Sequence, residues 1–132
     1  MKPAVKIEDA RARVTITSNE SVPTARLVET MVGLVRDTPS RVHHDFILDI
    51  RKTYGDGTHD HVQEAAEAFR RLGAGETPTH TCFITYDAGF THWARAMDFC
   101  FENRTHLCFS SLEAAERFLD QRRARPTRSC AA

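Results

Sequence analysis

The sequence predicts an α/β domain with a mainly parallel, mixed sheet of about five strands flanked by about four helices, in the order β-β-α-β-α-β-α-β-α. Three observations predict it. Short runs rich in Val, Ile and Phe alternate with amphipathic stretches of helical period along most of the chain. Phe46-Ile47-Leu48-Asp49-Ile50 and Cys82-Phe83-Ile84 are almost continuously apolar, as strands covered on both faces must be. The links are short and no repeat interrupts the alternation, so residues 1–120 are expected to form one domain, long enough to bury one core.

Val5 and Ile7, then Val14 and Ile16 among Arg13, Thr15 and Thr17, predict two short half-buried strands in a hairpin or at a sheet edge. From Pro23 to Arg36, Leu27, Val28, Met31, Val32 and Val35 recur at helical spacing, with Ser21 as the expected cap and Pro39 beyond the end. The strand at Phe46 follows, then a Gly-containing turn. Val62, Ala65, Ala66, Phe69 and Leu72 mark the clearest helix, and Gly73 stands where a left-handed C-terminal residue belongs. After the strand at Cys82, a helix from about Phe90 to Glu102 places Trp93, Ala94, Met97 and Phe101 on one face. Leu107-Cys108-Phe109 is the last strand. Ser110, with Glu113 three residues on, reads as a capping box for the final helix, and residues 121–132 read as a disordered basic tail. Leu48, Phe69, Ile84, Trp93 and Phe109 are the expected core.

Lys and Arg number 18 and so do Asp and Glu, so no global field draws the chain to nucleic acid or an anionic membrane. No apolar run approaches the roughly 20 residues that span a bilayer, and the stretch after Met1-Lys2-Pro3-Ala4 lacks the apolar segment of a signal peptide. A cytoplasmic location is expected. There the four cysteines, Cys82, Cys100, Cys108 and Cys130, are expected as thiols rather than bridges.

The apolar strand ending in Asp49-Ile50, the turn Gly55-Asp56-Gly57-Thr58 opening a helix, and the closing stretch from Phe109-Ser110-Ser111 to Ala115 resemble STAS-like domains, which include the anti-sigma-factor antagonists. The likeness runs from about Val14 to Leu119 and suits a divergent, stand-alone bacterial member. The expected role is a non-enzymatic regulatory module that works through protein contacts, with another protein or as a homodimer and without a cofactor; the alternatives are a small-ligand or anion-binding domain and an unrecognised enzyme. Antagonists carry a phosphorylatable Ser directly after an Asp at the start of the second helix. This chain reads Gly55-Asp56-Gly57-Thr58-His59-Asp60 there, with Thr58 as an offset counterpart.

In open parallel sheets ligands gather outside the C-terminal strand ends. That edge carries Asp49, Arg51, Gly57, Thr58 and Asp87, with Ser110 beside them, and it is the candidate site for a small ligand or anion. The alternative is structural: the aspartates cap turns, Thr58 and Ser110 cap helices, and Arg51 pairs with a carboxylate. His43-His44-Asp45 and His59-Asp60-His61 lack the paired spacing of zinc ligands, so no metal is expected. No Gly-x-Ser-x-Gly elbow or phosphate-binding glycine loop is present, and no catalytic residue is assigned. On the third helix His92, Arg95 and Phe99 lie opposite the face of Trp93, and an aromatic beside arginine has the composition of a protein interface; the alternative is that both faces of the helix are covered within the monomer. Arg122, Arg123, Arg125 and Arg128 in the tail offer weak, salt-sensitive contact with phosphates at most.

Overall fold

The computed structural model describes residues 3–55 and 59–124. Five strands make one sheet: β1 (Ala4–Glu8), β2 (Arg13–Thr17), β3 (Asp45–Asp49), β4 (Thr79–Ile84) and β5 (Arg104–Phe109). Four helices accompany them: α1 (Thr24–Asp37), α2 (His59–Arg71), α3 (Phe90–Asp98) and α4 (Leu112–Ala124). The strands lie in sequence order, β1 antiparallel to β2 and the others parallel. The mixed, mainly parallel sheet that the sequence implied is therefore the one observed.

Sequential order has a consequence for the layers. Each crossover steps to the next strand in the same direction, and crossovers share one hand, so α1, α2 and α3 fall on the same face. Leu27, Met31, Val35, Val62, Ala65, Phe69, Phe90, Ala94 and Met97 meet Val14, Ile16, Phe46, Leu48 and Phe83 there. Phe69 sits at the centre, edge-on to Phe46 at 6.0 Å and to Phe101 at 5.5 Å. After β5 the chain turns to the other face, where Ala115 and Leu119 of α4 cover Ile47, Cys82 and Ile84. Period-two alternation in β3 and β4 thus feeds two cores, one on each side of the sheet.

Local chemistry explains where the helices stop and start. At the end of α2 the amide of Ala74 donates to the Phe69 carbonyl and that of Gly73 to Arg70, with Gly73 at φ 93°. This is the pair of bonds of a Schellman cap, and it needs the left-handed residue that glycine tolerates. Three expectations require correction. Ser21 does not cap α1, which starts after Pro23 without a side-chain cap, because the loop after β3 lies against it and the Thr24 amide donates to the Tyr54 carbonyl at 2.8 Å. The cap of α4 is Ser111 rather than Ser110: its Oγ accepts from the Ala114 amide at 3.1 Å, which shifts the helix start by one residue. Helix α3 ends at Asp98 instead of Glu102, since Asp98 turns its carboxylate to the amide and Nδ1 of His106 at 2.7 and 2.9 Å.

Helix α4 also runs to Ala124, past the expected boundary at 120, and the rest of the expected tail lies outside the described residues. Leu48, Phe69 and Ile84 are buried as expected, but Trp93 and Phe109 are only half-buried. Both stand at the outer side of the sheet, where β5 is the last strand among the described residues and Phe109 is covered only in part, by Phe118 of α4 at 5.5 Å. Arg13, Arg104, His80 and His106 are buried instead. Cys82 is a buried free thiol, and Cys100 and Cys108 are half-buried free thiols. No helix among the described residues is long and apolar enough to cross a membrane.

Candidate functional site

Two surfaces carry the residues that the sequence singled out. The first is the edge at the C-terminal strand ends. The turn after β3 and the turn after β4 enclose a cleft of about 270 Å³ lined by Thr24, Ile50, Arg51, Thr53, Tyr86 and Asp87. The polar groups in it are largely engaged with each other. Arg51 donates from Nε to Asp49 Oδ1 at 2.9 Å and from Nη2 to Oδ2 at 2.6 Å, a two-pronged, charge-assisted pair. Its backbone amide reaches the same Oδ1 at 3.2 Å. Partial burial pushes the Asp49 carboxyl up, but the Arg51 hydrogen bonds and charge outweigh that and hold it below the usual carboxylate range. The Arg51 guanidinium is raised in turn by Asp49 and then by the Tyr86 hydroxyl, over whose ring it lies at 5.8 Å. Each charge neutralises the other, so Arg51 offers an incoming anion little field.

Asp87 serves the turn that presents it. Its Oδ1 accepts from the Gly89 amide at 2.8 Å, and its own amide donates to Thr85 Oγ1 at 3.0 Å. Gly57 and Thr58, the remaining candidates at this edge, lie outside the described residues. Topology adds a second opening beside the first. The chain leaves β4 toward α3 on one face and leaves β5 toward α4 on the other, so a crevice opens between the two strand ends, as at a switch point. It has a volume of about 300 Å³ and is lined by Thr85, Tyr86, Asp87, Thr91, Cys108 and Ser110. The Cys108 thiol there is pushed up by burial, with Thr91 hydrogen bonding in the opposite sense, so it is a poor nucleophile at neutral pH.

The second surface is the outer face of the three-helix layer. His92, Arg95 and Phe99 are exposed along one stripe of α3, and Phe99, the residue that ends it, is 93% exposed. Helix α2 neighbours it. Between α2 and the end of α3 lies an open groove of about 760 Å³, with Phe99 and Cys100 at one wall and Ala66 and Ala68 among its lining. The charged outer side of α2 forms the rest: Asp60, Glu64, Glu67, Arg70 and Arg71, with Arg36 from α1 beside them. Glu67 accepts from Arg70 and from Arg71, the latter at 3.0 Å. The structure thus brings Phe99 to a groove and leaves His92 and Arg95 along the stripe outside it.

The charges of α2 were missed because a polar helix face ordinarily signals solvent and nothing more. Their order was nonetheless visible, acidic residues first and basic residues last. In the upstream cluster, His44 Nε2 lies 3.0 Å from Asp9 Oδ1, and Asp45 Oδ1 accepts from the His80 backbone amide at 2.9 Å. Among the described residues no three His, Cys, Asp or Glu side chains are grouped to hold a metal. Compared with known proteins, the chain matches no family model, no curated protein and no solved structure.

Proposed function

We propose that the chain is a regulatory, protein-binding module of STAS-like type that engages its partner through the face formed by α2 and the end of α3. The observation that carries this is Phe99. A phenyl ring 93% exposed at the wall of a groove has no use in the stability of the free chain, whereas a buried aromatic anchor dominates the energy of many protein contacts. The adjacent arginines suit such a face, since Arg and aromatic residues are the types enriched there. The STAS-like part of the reading rests on the order of elements on which the resemblance stands. Regulation by partner contact then requires no catalytic group, and the polar residues at the strand ends, turned on one another, make a weak case for chemistry.

The test is a photo-reactive benzophenone side chain placed at position 99 and, as control, at the exposed edge-strand position 6, in the full chain expressed in its own host. The reading expects a discrete adduct from position 99 and none from position 6. Equal, diffuse labelling at both positions rejects it. A second reading, a small polar ligand at the strand ends, is favoured by the crevice between β4 and β5. Native mass spectrometry of the purified chain checks it, a stoichiometric bound mass being the expected result.

A further inference from the structure

We propose that the occupant of the α2–α3 face is a second copy of this chain, docked about a two-fold axis with its α2 antiparallel to the first. The inference rests on the interaction reading above and names its partner. A two-fold contact joins a patch to itself, so residue i meets residue j while j meets i, and the patch has to be self-complementary. The outer side of α2 meets that condition through the order of its charges. Asp60 and Glu64 stand in its first half, and Arg70 and Arg71 end it. Asp60, Glu64 and Arg36 make no ion pair among the described residues, whereas Arg70 and Arg71 share the single carboxylate of Glu67. The first half is therefore net negative and the last turn net positive.

That order selects among partners. A partner of uniform charge would be attracted by one half of the groove and repelled by the other. A parallel second copy would set like charges on like. Only reversal of the second helix places each acidic half on a basic turn, and it also sets the two helix dipoles against each other in the favourable sense. A pairing centred near Glu67 brings Glu64 opposite the partner's Arg71 and Arg71 opposite the partner's Glu64. Ala66 and Ala68 in the groove add no bulk to hold the helices apart, and the two-fold carries each exposed Phe99 onto the other copy's groove.

Sedimentation equilibrium of the full chain, from about 1 to 200 µM and in low and high salt, decides the matter. The expected result is a dimer with a Kd on the order of tens of micromolar that weakens with salt. Glu64→Arg and Arg71→Glu should each weaken association at least about tenfold, and the double variant should return to within about threefold of the parent, because the swapped charges again face each other. Phe99→Asp should weaken it by a similar factor to the single reversals. Circular dichroism melts establish that each variant is folded, and Arg71→Gln replaces any reversal that is not. A parent chain that stays monomeric throughout, single reversals without effect, or a double variant that stays weak each overturns the pairing. A monomer that still crosslinks from position 99 to a different protein rejects the second copy and leaves the interaction reading standing, whereas a monomer with no such adduct rejects both.

Discussion

Arg13 is wholly buried on β2, and its Nη2 donates to Asp120 in the second half of α4 at 2.8 Å, while its Nε and Nη1 find no partner among the described residues. A charge held this way is more costly to leave alone than to remove. Asp120→Asn should therefore destabilise the protein by about 2 kcal/mol, and Arg13→Met, which removes the charge and keeps the bulk, by less. Urea unfolding of the two variants checks the order, and a larger loss for Arg13→Met would contradict it. Arg104 solves the same problem differently. It is buried without a carboxylate in contact among the described residues, donates to the carbonyls of Val42, His44 and His80 and to Thr81 Oγ1, and lies over the Phe69 ring at 5.0 Å. Burial lowers it to about 10, so it stays charged at neutral pH.

His106 gives the residue scale its pH dependence. Burial lowers the imidazole, the Asp98 hydrogen bond opposes this, and the Arg104 charge lowers it further, for a net fall below the ordinary value of 6.5. The unfolded chain thus takes up a proton below about pH 6.5 that the folded chain resists, and stability falls with falling pH from there. The slope contributed by one such proton is at most about 1.4 kcal/mol per pH unit. His106→Asn keeps a donor for Asp98 and cannot titrate. Its melting temperature should decline less between pH 7 and pH 5 than that of the parent chain, and parallel curves would exclude His106 as the cause.

At the scale of elements, α2 and α3 differ in how firmly they are held. Phe69 of α2 is 1% exposed and touches two other rings, whereas Trp93 of α3 is half-buried beside the last strand. Truncating Phe69 to Ala should cost about 4 kcal/mol through lost burial and the cavity left behind. Trp93→Ala should cost about 2 kcal/mol, since part of the indole is already in water. Chemical denaturation separates them, and equal losses would mean that Trp93 is a true core residue. The contrast limits what periodicity tells. Trp93, Ala94, Met97 and Phe101 share a face in the sequence, but a shared face does not say how far the sheet extends beneath it.

For the whole molecule, one-handed crossovers in sequential order stack three helices on one side and leave the fourth to cover the other. The outer side of the three-helix layer then carries an open groove, with Phe99 and the charges of α2 brought beside each other although they are distant in sequence. The strand-end edge follows from the same topology. Its crevice lies between β4 and β5, where the connections part, and its best charged pair, Asp49 with Arg51, is closed on itself.

The order and type of the elements, the strands buried on both faces and the placing of Phe99 opposite Trp93 were legible in the sequence, because period-two and helical patterns are local records of which residues share a side of an element. The glycine cap of α2 was legible for the same reason: its backbone bonds span five residues. Tertiary structure alone decided that Arg13, Arg104, His80 and His106 are buried, since a polar residue on a strand is covered or not according to a helix that arrives from elsewhere in the chain. It also decided that Arg51 spends its charge on Asp49 and that the polar side of α2 walls a groove. Such outcomes depend on distances between elements, which no local pattern encodes.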